Sequence, residues 1–355
     1  MNGHTKVVGA CIAIIVLAGC AAASQTPRSS SAASPASASA YVTATARPSG
    51  PGILLDPTAW ITYGTCNVCD DTDNQLWLIH PDGTGDHQIG AAMGGSPAHA
   101  DLSRDGNAVA WAWIKNDIDP EQIFVAGADG SNPHEVATCV PPGCLGYDRP
   151  AWSPDDTKLA IAIDYGPPAN NLPIANGIGI LDLATGAVTQ LTRHPDSAGQ
   201  DLFPRWSPDG HSLVFWTERG VANGPDESAI FTVSTDGTNL RQLTQWSEYA
   251  SDPDWSPDGQ TILYSTHSLR TDWPTAVESE LMTMRPDGTD RTALTSFGLG
   301  GPRAGFARWI SNGSAIIYVR DGKVWRHIWV IDADGSADTP VLTTREIYGN
   351  PGMRP

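Results

Sequence analysis

The string RWSPDGHSLVFW at 205–216 recurs as DWSPDGQTILYS at 254–265 and, in worn form, as AWSPDDTKLAIA at 151–162. Aligned on the tryptophan, Trp152, Trp206, Trp255 and Trp309 follow one another at separations of 54, 49 and 54 residues. Two further copies lack it: AHADLSRDG carries Leu102 there, and IYGNPGMRP carries Met353. Six units of about fifty residues are the period of propeller blades or a solenoid.

Each unit repeats one plan. After the Pro-Asp-Gly turn comes an apolar run (AVAWAW, LAIAI, LVFW, ILYS, AIIYV), then a loop, then a second run (IFVAG, IGILDL, IFTVS, LMTMR, IWVID). Another Asp-Gly-type turn leads to a polar segment ending in Leu-Thr: TQLT, RQLT, TALT, PVLT. Each unit is therefore a four-stranded meander, A to D, with the tryptophan on A. The B runs are apolar on consecutive residues, so both faces are covered. The D runs are mostly polar, as outer edge strands are. An all-β, six-bladed β-propeller satisfies this gradient. The last unit stops after strand A, whereas the first folded residues, DPTAWITYGT, read as an orphan strand B followed by LWLIH and HQIGAA. One C-terminal strand pairing with three N-terminal strands completes the sixth blade and removes the open edge.

The remaining sequence is not propeller. Residues 1–19 hold Lys6 and the apolar run VVGACIAIIVLAG, too short to span a bilayer comfortably, and read as a signal peptide. It ends in LAGC, which resembles the lipobox of bacterial lipoproteins and implies that Cys20 is lipidated. Residues 20–52 are Ser, Ala, Thr and Pro with few large apolar groups, a disordered tether with an r.m.s. reach of roughly 30 Å. Residues 53–355 are the propeller. The expected location is the extracytoplasmic side of a cell membrane, held by a lipid anchor. With 39 acidic against 21 basic residues and a net charge of -18, the protein repels phosphate backbones, which argues against a nucleic-acid partner.

The pattern WSPDG…ILYS…LMTMRPDGTDRTALT resembles the propeller repeat of TolB and its relatives, also called the WD-like propeller repeat. The resemblance covers residues 53–355 and implies fold more than function, because the same repeat serves prolyl peptidases and stand-alone extracytoplasmic proteins. TolB itself has an α/β domain ahead of its propeller, and the peptidases add a serine hydrolase domain. Here the expectation is a propeller with neither.

Candidate chemistry is sparse. GGSPA at 94–98 lacks the final glycine of a nucleophile elbow, which leaves Ser96 a loop residue. No two histidines lie four apart, and His99 is read as a polar residue near the channel. Cys66, Cys69, Cys139 and Cys144 are expected to form two disulfides in an exported protein. Local pairs, 66–69 and 139–144, are preferred among three connectivities, with cross-pairing open. Asp71, Asp73, Asp117, Asp119 and Glu121 alternate as in calcium loops, but without the EF-hand glycine and glutamate they read as solvated acidic loops. No catalytic residue, metal or cofactor is expected. Just before the tryptophan position stand Asp101, Ala151, Arg205, Asp254, Arg308 and Gly352, and the alternating Arg205, Asp254 and Arg308 suggest ion pairs between A strands.

In such a meander the A–B and C–D turns share one face, and the B–C and D–A connections the other. The Asp-Gly turns are short and alike, whereas the second face carries the long loops 164–177, 217–228 and 267–280. Long loops on a rigid frame are where binding usually sits. The candidate binding residues on that face are His99, Tyr147, Arg149, Asp201, Trp246, Tyr249, Asp252, Trp273 and Arg303. The expected function is a monomeric binding or scaffolding propeller for a protein, peptide or glycan of the cell envelope. The alternative is a hydrolase or lyase with its site at the channel mouth.

Overall fold

The computed structural model describes residues 55–65, 74–115, 119–139, 144–165, 175–193, 199–219, 227–269, 277–298, 301–321, 326–342 and 348–354. They form six antiparallel sheets of four strands each. Blade one is composite, with the order Tyr348–Arg354, Trp60–Thr65, Gln75–Ile79, His87–Ile89. The C-terminal strand pairs antiparallel with Trp60–Thr65, matching Arg354 to Trp60 and Met353 to Ile61. The expected ring closure is therefore present. In blades two to six, strand A is Ser96–Leu102, Gly146–Trp152, Gly199–Trp206, Ser251–Trp255 and Arg303–Trp309.

The repeated Ser-Pro-Asp-Gly string makes its own turn. In blades two to five the serine hydroxyl donates to the aspartate two residues on: Ser103 to Asp105, Ser153 to Asp155, Ser207 to Asp209 and Ser256 to Asp258, at 2.6–2.7 Å. The same hydroxyl accepts the N–H of the residue five on, where strand B begins. The fourth position needs a positive φ, 71° at Gly106 and 72° at Gly210, which glycine adopts without steric cost. Blade three has Asp156 there instead, at φ 55°. Its carboxylate accepts the Arg104 N–H at 2.7 Å, a link to blade two that offsets the strain.

Strand B carries the core. Nine residues after the tryptophan position, each blade places a fully buried side chain: Trp111, Ile161, Phe215, Tyr264 and Tyr318, with Tyr63 in the composite blade. The terminal Leu-Thr of strand D is a cap. The hydroxyls of Thr192, Thr244 and Thr295 accept the strand C N–H groups of Ile178, Ile230 and Leu281 at 2.8–2.9 Å. The repeated tryptophan joins blades. The Trp152 indole N–H reaches the Asp101 carbonyl at 3.1 Å, and that of Trp206 reaches the Ala151 carbonyl at 3.0 Å.

One feature of strand A has no counterpart in the repeat as read from sequence. In blades two to six the A–B register slips by a bulge. Inside each bulge one non-glycine residue adopts a left-handed backbone: His99, Arg149, Phe203, Asp252 and Phe306, at φ 50–54°. All five stand three residues before the tryptophan position. Left-handed backbone costs a non-glycine residue about 1 kcal/mol or more, and bulges re-aim side chains.

Candidate functional site

Four of the five bulge side chains meet across the channel, and the fifth, that of Asp252, binds the backbone of the adjacent blade. The His99 ring of blade two packs edge-on against Phe203 of blade four at 5.3 Å, and Phe203 reaches Phe306 of blade six at 6.3 Å. The Arg149 guanidinium lies over the Phe203 ring at 4.9 Å, a cation–π arrangement. The Phe306 N–H donates to Asp252 at 3.3 Å. Contacts between blades two and four, and four and six, skip the intervening blade, so these side chains lie inside the ring. Phe203 is 6% exposed, and it fills the channel at this level. Three of the five (His99, Arg149 and Asp252) were candidates on sequence grounds. Phe203 and Phe306 were missed, although their constant offset from the tryptophan marks them.

Toward the long-loop end, His99 and Arg149 join a charged cluster between blades two and three. The His99 Nδ1–H donates to Asp148 at 2.7 Å, and Asp148 also accepts the Arg149 N–H at 2.6 Å and the Arg149 guanidinium. Burial disfavours charge on Asp148. The adjacent Arg149 and His99 outweigh that cost and hold the carboxyl well below the ordinary carboxylate range. Asp164, ending strand B of blade three, accepts from the Asn176 side chain at 2.5 Å. Burial, then repulsion from Asp148, pushes its carboxyl up to about 7. Glu121, opposite Gly146, is raised well above its ordinary value by burial, then by Asp148 and Asp164. Gly146 lets the two strands approach closely, since a Cβ there would sit 3.3 Å from both Asp164 Oδ2 and the Glu121 Cβ and would push them apart. The cluster thus holds one fixed carboxylate and two carboxyls that release protons reluctantly.

The signs predict a pH effect. The folded state raises the Asp164 value above its unfolded one, so folded protein binds more protons between about pH 4 and 7. Its contribution to stability is full below about pH 4 and is lost as pH rises towards about 7. In Asp164→Asn the amide oxygen keeps the Asn176 bond and the amide N–H groups face the other carboxylates. This variant is expected to be about 1–2 kcal/mol more stable than the parent at pH 8 and to lose the decline between pH 4 and 7, as read by urea unfolding at each pH. An unchanged slope contradicts the assignment.

The other sequence candidates fall differently. Asp201 is 2% exposed and accepts from the hydroxyls of Thr192 at 2.5 Å and Thr217 at 2.7 Å, tying blade three to blade four. Tyr147 is buried in the core between blades two and three. Trp246 is half-buried at 5.6 Å from Phe231, in a 3-10 turn, Trp246–Glu248. The turn is anchored by Glu248 to Arg291 at 2.6 Å, and Tyr249 ends it in left-handed backbone. Arg303 is half-buried and opens strand A of blade six. Trp273, Cys20, Cys66, Cys69, Asp71, Asp73 and Asp117 lie outside the described residues. Cys139 and Cys144 form the expected local disulfide. Ser96 is buried and accepts the Asn74 N–H at 3.1 Å. Asp119 is an exposed loop carboxylate paired with Lys115 at 3.4 Å, in keeping with a solvated loop. Glu121 departs from that expectation, because its backbone bridges to Gly146 and draws the carboxyl into the cluster. Among the described residues no group of three or more His, Cys, Asp or Glu side chains is placed to hold a metal ion.

At the other end of the channel, the Pro-Asp-Gly turns surround a cavity of about 190 Å3 rimmed by Trp152, Trp206, Trp255 and Trp309. Here the ion pair differs from the alternation expected between adjacent blades. Arg205 of blade four pairs with Asp101 of blade two at 3.7 Å, skipping blade three. Asp254 accepts the Trp309 N–H at 2.8 Å, as Asp101 accepts that of Trp152 at 3.0 Å.

Residues 96–351 match the TolB β-propeller domain. The chain belongs to this family. An uncharacterized peptidase, YuxL, of Bacillus subtilis is 34% identical over 114 residues. That alignment takes in 32% of this chain and 16% of the peptidase, so most of the relative's length lies outside the match. The crystal structure of TolB from Acinetobacter baumannii superposes with a TM-score of 0.59 at 15% identity, covering 84% of this chain and 67% of that one. An oligogalacturonate lyase in complex with manganese superposes at 0.53 with 16% identity, covering 82% and 81%. Likeness at this identity speaks for a shared TolB-type fold alone.

Proposed function

We propose that this TolB-type propeller is a lipid-anchored, extracytoplasmic binding module that seats a protein or peptide on the long-loop side of its channel. The observation that carries the reading is the set of five bulge residues. A rigid ring spends backbone strain in five blades, and four of them point His, Arg, Phe and Phe at one place while the Asp binds the backbone of the last. Aromatic faces with one cation and one anion beside them suit a peptide segment, whose apolar side chains and termini need both. The LAGC motif and the tether of residues 20–52 supply the anchor and the reach. Trp246 and Trp273 are rim anchors in the same proposal.

Affinity capture from solubilised membranes with the tether cut tests this. Trp246→Ala and Trp273→Ala are each expected to weaken capture by at least about 1 kcal/mol while circular dichroism and Tm stay near the parent's, and Arg149→Ala is expected to weaken capture with a lowered Tm, because it leaves the buried Asp148 carboxylate without its cation. Undiminished capture by all three refutes the long-loop site.

The raised Glu121 and Asp164 carboxyls favour a second reading, since a carboxyl protonated near neutral pH can serve as a general acid. On that reading the protein is a hydrolase or lyase, and the peptidase and oligogalacturonate lyase similarities suggest the substrates to try. Turnover of peptides or oligogalacturonate that is abolished in Glu121→Gln selects it over binding.

A further inference from the structure

The cavity at the Pro-Asp-Gly end holds an arrangement that neither the fold nor the proposed long-loop site uses. Arg205 lines it and is 5% exposed, and Arg308, at the same position two blades on, is 4% exposed. Buried guanidinium groups normally satisfy their N–H groups with carboxylates or carbonyls. Here the Nε–H of Arg205 and the Nε–H and one terminal NH2 of Arg308 make no hydrogen bond among the described residues. The terminal nitrogen of Arg308 that is satisfied donates to the carbonyl of its own neighbour, Ala307, at 2.8 Å.

The carboxylates that could have met these donors are engaged elsewhere. One oxygen of Asp101 and one of Asp254 accept the main-chain N–H of a tryptophan in a neighbouring blade. Asp101 meets Arg205 only at 3.7 Å, beyond hydrogen-bond distance. The indole N–H groups of Trp255 and Trp309, on the cavity rim, also find no acceptor among the described residues. Every orphaned polar atom of this group is a donor. Arg104, Arg205 and Arg308 stand here against Asp101, Asp252 and Asp254, so the charges balance locally in a protein of net charge -18. Burial, then repulsion from Arg205, draws Arg308 down to about 10, a cost that a negative ligand relieves.

We infer that this mouth of the channel is an anion site, in which Arg205 and Arg308 hold the oxygens of a carboxylate or an inorganic oxyanion. The cavity volume suits a group of that size. Planar guanidinium forks match paired oxygens, and a low-dielectric wall strengthens each charge-assisted bond. A chain-terminal carboxylate and a free oxyanion share this chemistry.

Two titrations separate them. Inorganic phosphate and N-acetylglycine are titrated into the full chain by calorimetry at constant ionic strength, with N-acetylglycinamide as the neutral control. Saturable binding is expected for at least one anion and none for the amide. Phosphate alone marks an oxyanion site, and N-acetylglycine alone marks a terminal-carboxylate site. Arg205→Gln and Arg308→Gln are each expected to weaken the bound anion at least tenfold, while Arg285→Gln, at an exposed pair with Asp290, leaves it unchanged. Because removal of a buried arginine can disturb folding, the parent protein is also to be crystallised, soaked in selenate and its anomalous peaks located. A peak between the two guanidinium groups supports the site. Binding by neither anion, equal binding of the amide, or peaks only at exposed arginines overturns it.

Discussion

Deleting residues 348–354 is expected to lower Tm by more than about 10 °C or to prevent folding. The deleted strand is the only element described that joins the two ends of the chain in one sheet. Its loss strips the antiparallel partner from Trp60–Thr65, orphaning the ladder from Thr62 to Trp60. Ile61 and Tyr63, at 1% and 0% exposed, lie on that strand and lose cover beside it. Each backbone group left unpaired away from water costs about 1–3 kcal/mol, so three or four reach about 5 kcal/mol or more. That is comparable with the entire stability of a domain. At about 2–4 °C per kcal/mol the shift is large enough for a simple thermal melt. Removal of residues 21–50 is the matched control and is expected to leave Tm within about 2 °C, because that composition offers no core. Equal tolerance of the two truncations refutes closure by the C-terminal strand.

Cys20→Ala is expected to abolish fatty-acid labelling and the mature N-terminus at residue 20. The proposed attachment is chemical and not a matter of surface affinity. The protein's net charge of -18 opposes adsorption to anionic headgroups, so nothing in its electrostatics substitutes for the lipid. A lipid anchor contributes about 0.8 kcal/mol per buried CH2. Fractionation, fatty-acid labelling and the mature N-terminus read the result together. Soluble parent protein, or a mature N-terminus other than residue 20, refutes the anchor. The propeller should melt at the same temperature in both forms, since the substitution lies more than thirty residues before the first described strand.

Much of the fold was legible because its causes are local. A serine hydroxyl reaches an aspartate two residues away and an amide five away, and a glycine supplies the positive φ between them. These contacts travel with the string Ser-Pro-Asp-Gly and its variants in blades two to five, so the repeat announces the blades. The all-apolar B runs, the polar D runs ending in Leu-Thr, and the split final blade follow from periodicity and from the cost of an open edge. The local disulfide Cys139–Cys144 belongs here too, since five residues separate its partners.

The candidate site was legible only in part. His99, Arg149 and Asp252 are legible as candidate binding residues of the long-loop face, but nothing in their neighbourhoods marks a left-handed backbone. Phe203 and Phe306 read as ordinary apolar positions of an inner strand. The bulge that re-aims all five arises from pairing between strands A and B, and the meeting of four of them depends on a ring diameter that no period of fifty residues encodes. The same reason applies to charge. Arg205 selects Asp101, two blades away, over the blade-to-blade alternation seen in the sequence. Glu121 enters a buried cluster with Asp148 and Asp164 because a parallel bridge to Gly146 carries it there. Sequence by itself determined the blades, their turns and their closure, since those rest on contacts within a few residues or on a repeated period. Tertiary structure decided what fills the channel, which carboxyls keep their protons and which donors are left over, since those depend on distances across the ring.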